Sequence, residues 1–192
     1  SSCLPLMHKS RKGGYDGKGV YVMKRNSDIE NAPDVPAVLE HLIDFEKEIS
    51  VIVARNENGE TRSFPVVDIS FNQEANLVEY LYSPSSVSSE LEKEATALAL
   101  RVADSLSLVG ILAVEMFVTR DQKLLINEIA PRPHNSGHQT IEGNITSQYE
   151  QMLRAITNLP LGETTITKPA VMVNILGEKG FEGPAIYSGL EE

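Results

Sequence analysis

The chain has 192 residues, of which 41% are hydrophobic and 23% charged; these are values of a globular protein with a real core, and they exclude wholesale disorder. A net charge of −10 without an extended basic face argues against a nucleic-acid partner, and the longest apolar stretches fall far short of a membrane span. One cysteine, Cys3, cannot close an internal disulfide, and the opening residues do not read as a secretory leader, so the expected location is cytoplasmic.

In chain order, "CLPLMHK" predicts a strand and "VYVMK" (Val20 to Lys24) its hairpin partner. Between them lies "KSRKGGYDGKG" (Lys9 to Gly19), with four glycines and four basic residues in eleven positions. That is longer than the usual hairpin loop of about two to five residues. Residues 26–36 read as loop or a short broken helix, punctuated by Pro33 and Pro36. A run of strands follows over Ala37 to Ile43, Glu48 to Arg55, Thr61 to Ser70 and Asn76 to Ser83, with a turn at Asn56 to Gly59. Strands joined by short polar turns argue for an antiparallel sheet.

One helix is plain. Ser89 and Glu92 form a candidate capping box, and Leu91, Ala95, Leu98, Val102 and Leu106 recur as one apolar stripe before Gly110. Strands over Ile111 to Thr119 and Lys123 to Ala130 come next, joined by Arg120 to Gln122. The loop "PRPHNSGHQT" leads to a second helix near Thr146 to Asn158, and Ala170 to Leu176 reads as a last strand. The sequence holds no internal repeat. The pattern is α+β: a mainly antiparallel sheet with helices on one side.

Two features carry chemistry. Glycines let backbone N–H groups approach an anion closely, and Lys9, Arg11, Lys12 and Lys18 supply charge, so the first loop suits a small anion. It is neither the Walker pattern nor a dinucleotide fingerprint. A glycine loop covering a triphosphate fits it, and so does a plain hairpin tip. The second feature is an acid pair: Glu115 in one apolar strand and Glu128 in the next, hairpin neighbours able to face one another. Two carboxylates that close repel unless a cation or proton joins them, and oxygen ligands suit magnesium. Outward-facing polar positions on half-exposed strands would look the same. Glu128 leads, however, into Arg132, His134, Asn135 and Ser136, groups suited to holding anions.

Taken in order, "KSRKGGYDGKG", "LEHLIDFEKEISVIVAR", "AVEMFVT" with "LLINEIAPRPHNSGHQT", and "TSQYEQMLRAITNLPLG" closely resemble the ATP-grasp enzymes. Within them the resemblance is to the 5-(carboxyamino)imidazole ribonucleotide synthase family of purine biosynthesis, over nearly the whole chain. It implies an ATP-grasp fold and an ATP- and magnesium-dependent ligase. Such an enzyme makes carboxyphosphate from ATP and bicarbonate and passes the carboxyl group to aminoimidazole ribonucleotide. It implies that Lys9 contacts ATP phosphates, and that Gly14, Tyr15, Asp16, Gly17, Lys18 and Gly19 form the loop over them, with Val20 continuing it. Glu40, His41, Leu42 and Ile43 would pair with adenine through their backbone, and Glu48 would accept from the ribose hydroxyls. Glu115 and Glu128 would bind magnesium, with Asn127 beside the phosphates. Arg132, His134, Asn135 and Ser136 would wall the bicarbonate and carboxyphosphate pocket. Val20 stands where the family often has glutamine, and Gln139 where an aromatic often follows "SGH".

The resemblance further implies a part of a longer, homodimeric enzyme. Residues 1–36 are then expected to be part of a lid subdomain, 37–165 the catalytic subdomain and 166–192 the start of a C-terminal domain, with the part alone inactive as a synthase. Another ATP-grasp carboxylase or ligase, or a non-catalytic nucleotide-binding module, are the other readings; "PRPHNSGH" argues against the first and the acid pair against the second.

Overall fold

The computed structural model of the chain describes residues 3–13, 19–72, 77–175, 183–184 and 186–187. Three strands near the start, β1 (Leu6–Ser10), β2 (Val20–Met23) and β3 (Ala37–His41), form an antiparallel sheet in the order β2-β1-β3. The hairpin partners are those the sequence predicts, with Leu6 opposite Met23 and Lys9 opposite Val20. A short helix, α1 (Asn26–Glu30), follows β2. Its start is held by Asp28, whose carboxylate accepts from the N–H groups of Lys24 and Arg25, each at 2.9 Å.

The placement of β3 differs from the expected division of the chain. Ala37 was expected to open the larger unit, yet β3 pairs along β1 from Ser10 opposite Ala37 to Leu6 opposite His41. The sheets therefore part after His41, not after Pro36. The Arg11 N–H donates to the Pro36 carbonyl at 2.9 Å, so the proline segment returns the chain to the free edge of β1. Alternation alone cannot say which sheet a strand joins.

The second sheet has seven strands: β4 (Phe45–Arg55), β5 (Thr61–Ser63), β6 (Val67–Asn72), β7 (Leu77–Ser83), β8 (Gly110–Thr119), β9 (Leu124–Ala130) and β10 (Ala170–Val173). Their order is β10-β7-β6-β4-β8-β9, with β5 also on β4. The expected strand Thr61 to Ser70 is two strands. Phe64 turns into the core at 2% exposure, and Pro65, which lacks an N–H, interrupts the ladder. β10 pairs with β7, Ala170 opposite Ser83, and so extends this sheet rather than opening another one.

β4 and β8 are buried on both faces, and side-chain alternation splits their residues into two sets. Ile49, Val51 and Val53 of β4, with Leu112, Val114, Met116 and Val118 of β8, pack against α2 (Ser89–Ser105). Ile52, Ile111 and Ala113 point the other way, towards Met152 of α4 (Gln148–Ile156). Helices thus cover both faces, not one. Each fully buried Ile, Leu, Val or Met contributes about 1.5–3 kcal/mol, so this two-faced pair of strands anchors the molecule. The helix face that packs is Leu91, Ala95, Ala99 and Ala103, an unbroken four-residue series whose small side chains let α2 lie close to the sheet. Leu98 and Val102 flank it, and Leu106 is exposed.

The cap of α2 also sits one residue earlier than predicted. Ser88 has extended backbone and its hydroxyl accepts from the Leu91 N–H at 3.2 Å, which leaves Ser89 as the first helical residue. Ser88→Ala is therefore expected to lower stability by about 1 kcal/mol, and Ser89→Ala by less than about 0.5 kcal/mol, in chemical denaturation.

Candidate functional site

The site occupies the polar end of one sheet face. Along β4 the face that meets α4 runs Ala54, Ile52, Ser50, Glu48; along β8 it runs Ile111, Ala113, Glu115. Ser50 is the direct partner of Glu115, and Glu115 is the direct partner of Glu128 on β9. Beyond that pair the register shifts: Met116 faces Ile126, so Asn127 is an extra residue in β9. Such a bulge breaks strict alternation and re-aims side chains. Asn127 and Glu128, neighbours in sequence, both reach this one face: Asn127 donates to Glu48 at 2.9 Å, and Glu128 stands with Glu115.

The two sheets meet here. Lys9 of β1 donates from Nζ to Asn127 Oδ1 at 3.0 Å and pairs with Glu40 of β3 at 2.8 Å. The Asn127 amide thus passes a contact from a cation of the small sheet to Glu48 of the large one. Of the residues expected to meet adenine, Glu40 and His41 end β3, an edge strand, and Leu42 donates its N–H to Pro5 O at 3.2 Å. Among the described residues no strand pairs with β3 on the side away from β1. Gly19 has φ +78° and Val20 begins β2. Gly14, Tyr15, Asp16, Gly17 and Lys18 lie outside the described residues.

The segment after β9 closes the site. Arg132 is exposed, and its charge favours ionisation of Glu115. His134 precedes a 3-10 turn (Asn135–Gly137), and its Nδ1 lies 3.5 Å from Glu115 Oε1. The Ser136 N–H points at that same nitrogen at 3.3 Å, and the Ser136 hydroxyl is 3.0 Å from it. Nδ1 is therefore an acceptor, and the Ser136 hydroxyl donates to it. That hydroxyl in turn lies 2.8 Å from the Ser50 hydroxyl. Ser50, buried on β4 and absent from the sequence-predicted site, thus supports Ser136 and through it His134. Asn135 is half-buried at the start of the turn, and Gln139, where the family often has an aromatic, is buried just before the short helix α3 (Thr140–Gly143).

Glu115, Glu128 and His134 each offer a ligand atom, all within 4.8 Å of one another. This set fits a divalent cation through its two carboxylates, and the electrostatics say the same. Burial pushes the Glu115 carboxyl up to about 8, with the charges of Glu48 and Glu128 adding to it. Burial likewise raises Glu48 to about 7, against the hydrogen bond from Asn127. At neutral pH Glu115 holds a proton, which lets it face the bare Nδ1 of His134 without repulsion.

The folded chain keeps a proton on Glu115 that the unfolded chain loses near 4.5. Protons bound to the folded state stabilise it, so metal-free stability falls as pH rises from about 5 towards 8. Glu115→Gln is expected to flatten that fall and to be the more stable protein at pH 8 by about 1–3 kcal/mol, read by denaturant melts across pH in chelator. An unchanged slope would remove Glu115 as its source.

A family model for the ATP-grasp domain matches residues 3–149. The N5-carboxyaminoimidazole ribonucleotide synthase of Bacillus subtilis is 45% identical over 180 residues, covering 92% of this chain and 47% of that protein. The crystal structure of N5-carboxyaminoimidazole ribonucleotide synthetase from Thermotoga maritima matches with a TM-score of 0.82 at 46% identity, over 92% of this chain and 46% of that one. The N5-carboxyaminoimidazole synthase of Aspergillus clavatus, solved with ADP and 5-aminoimidazole ribonucleotide, matches with a TM-score of 0.82 at 33% identity, over 92% and 46%. The chain spans about half the length of these relatives. With the family model running from just before β1 to the start of α4, the chain belongs to the ATP-grasp domain family.

Proposed function

We propose that this chain is the nucleotide-binding part of an ATP-dependent ligase that carboxylates 5-aminoimidazole ribonucleotide with bicarbonate, in purine biosynthesis. The observation that carries the reading is that Lys9 of the small sheet reaches Asn127, which bonds Glu48, beside the Glu115 and Glu128 pair of the large sheet. A cation on one sheet and clustered carboxylates on the other suit a nucleoside triphosphate with its metal. The names of the relatives supply the acceptor, and one of their structures holds ADP together with that ribonucleotide.

On this reading Lys9 exchanges part of its pairing with Glu40 for phosphate oxygens. Residues Glu40 to Ile43 offer backbone groups to adenine, Glu48 accepts from the ribose, and the loop from Gly14 to Gly19 covers the phosphates. Glu115 and Glu128 hold magnesium, with Asn127 beside the phosphates. Bound magnesium supplies neutralisation of the charge that develops on the phosphate oxygens. A bicarbonate oxygen attacks the γ-phosphorus, the bond to the ADP oxygen breaks, and carboxyphosphate forms. The amine of the ribonucleotide then attacks the carboxyl carbon and phosphate leaves. Arg132, His134, Asn135 and Ser136 hold the anionic intermediate and help keep water from it, because carboxyphosphate is short-lived in water. The same reading makes the parent enzyme a cytoplasmic homodimer.

The test is calorimetric titration of ATP into this chain with and without magnesium. Binding is expected with the metal and at least about tenfold weaker without it. Glu128→Ala, at an exposed position, is expected to remove that difference while leaving the fold intact. ATP binding indifferent to both magnesium and Glu128 would overturn the metal assignment.

A further inference from the structure

Gln148, the first residue of α4, has a fully buried side chain. Burying a primary amide is costly unless its donors and acceptor are all met. Here they are met by the loop that carries the candidate catalytic groups. The His134 N–H donates to Gln148 Oε1 at 2.9 Å, and Gln148 Nε2 donates to the His134 carbonyl at 2.8 Å. One amide thus pairs with both backbone groups of one residue, as a strand neighbour would. The second Nε2 proton reaches His138 Nδ1 at 2.9 Å. Gly137 closes the socket: a Cβ there would lie 2.5 Å from Gln148 Oε1 and 2.3 Å from Ile52 Cδ1.

We infer that Gln148 is a positioning residue: its amide sets the His134 backbone beside Glu115 and fixes His138 as the tautomer with a bare Nδ1 and a protonated Nε2. The amide cannot be turned over. A backbone N–H needs an acceptor and a carbonyl needs a donor, so the two contacts with His134 assign oxygen and nitrogen. An N–H donor then faces His138 Nδ1, and that nitrogen carries no proton. The Tyr149 hydroxyl, 3.0 Å from the same atom, donates as well, and its ring stacks on His138 at 5.9 Å. Burial lowers the His138 pKa, which favours the neutral ring.

The link to function runs through His134. With its backbone pinned by Gln148 and its ring met by Ser136, His134 is held 3.5 Å from Glu115 from a separate segment of chain. That consequence rests on the pocket proposed above; the tautomer does not.

The experiment is two-bond ¹H–¹⁵N NMR of the histidine rings in the whole chain near pH 7.5. The unaltered protein is expected to show His138 with protonated Nε2 and bare Nδ1; a protonated Nδ1 there overturns the inference without any variant. Gln148→Glu, of equal size, replaces the donor with an acceptor and is expected to move a proton onto His138 Nδ1. Tyr149→Phe, at an exposed position, is expected to leave the tautomer as it was. Gln148→Met is expected to speed exchange of the His134 amide hydrogen roughly tenfold. A folded Gln148→Glu protein with Nδ1 still bare, or a tautomer that follows Tyr149 instead, would sink the idea. Loss of magnesium-dependent ATP binding with the tautomer as expected would count against the functional reading and leave this one standing.

Discussion

Three carboxylates on one face of a sheet, Glu48, Glu115 and Glu128, set the terms for the rest of this molecule. Glu48 and Glu115 are buried and so resist ionisation; the charge of Glu128 adds to this at both, and that of Glu48 adds to it at Glu115. The neighbouring groups answer that charge. Lys9 and Arg132 bring positive charge, Asn127 gives Glu48 a donor, and Glu115 keeps its proton. Such a cluster is costly to a fold and useful to a site that must receive a cation.

The scaffold can carry that cost because of how β4 and β8 are buried. One face of the pair is apolar under α2 from Ile49 to Val53 and from Leu112 to Val118. The other begins apolar beneath α4 and ends in hydroxyl and carboxylate. The strands of one sheet hold the acids, while the groups that complete the site come from elsewhere: Lys9 from β1 of the small sheet, and the 134–138 loop braced by Ser50 and Gln148.

The bulge at Asn127 shows how far sequence reading reaches. From alternation, Glu115 and Glu128 are legible as hairpin neighbours, and the register makes them direct partners. Alternation also predicts that Asn127 and Glu128 point to opposite faces. The inserted residue cancels that, and it depends on how two strands pair rather than on either strand alone. The same limit accounts for β3, which reads as one more strand in a run but pairs with β1, and for α4, which covers the sheet face opposite α2. Gln148 and Ser50 carried no signal at all. A glutamine opening a helix and a serine within a strand look like ordinary solvated positions until burial and partners are known.

The sequence by itself determined the local structure and the chemistry on offer. Its periodicities placed nearly every strand and the main helix, its acids and glycines pointed to a metal and a phosphate, and its motifs pointed to the ATP-grasp family. These are properties of neighbouring residues, and local sterics, capping and alternation act over a few positions. Tertiary structure alone decided which sheet each strand joined, which residues share a face and which buried polar groups satisfy one another. Those outcomes turn on pairing between segments far apart in the chain, where Lys9 meets Asn127 and Ser50 meets Ser136. A hydrogen bond of that kind is favourable only once the rest of the fold has removed water from both partners.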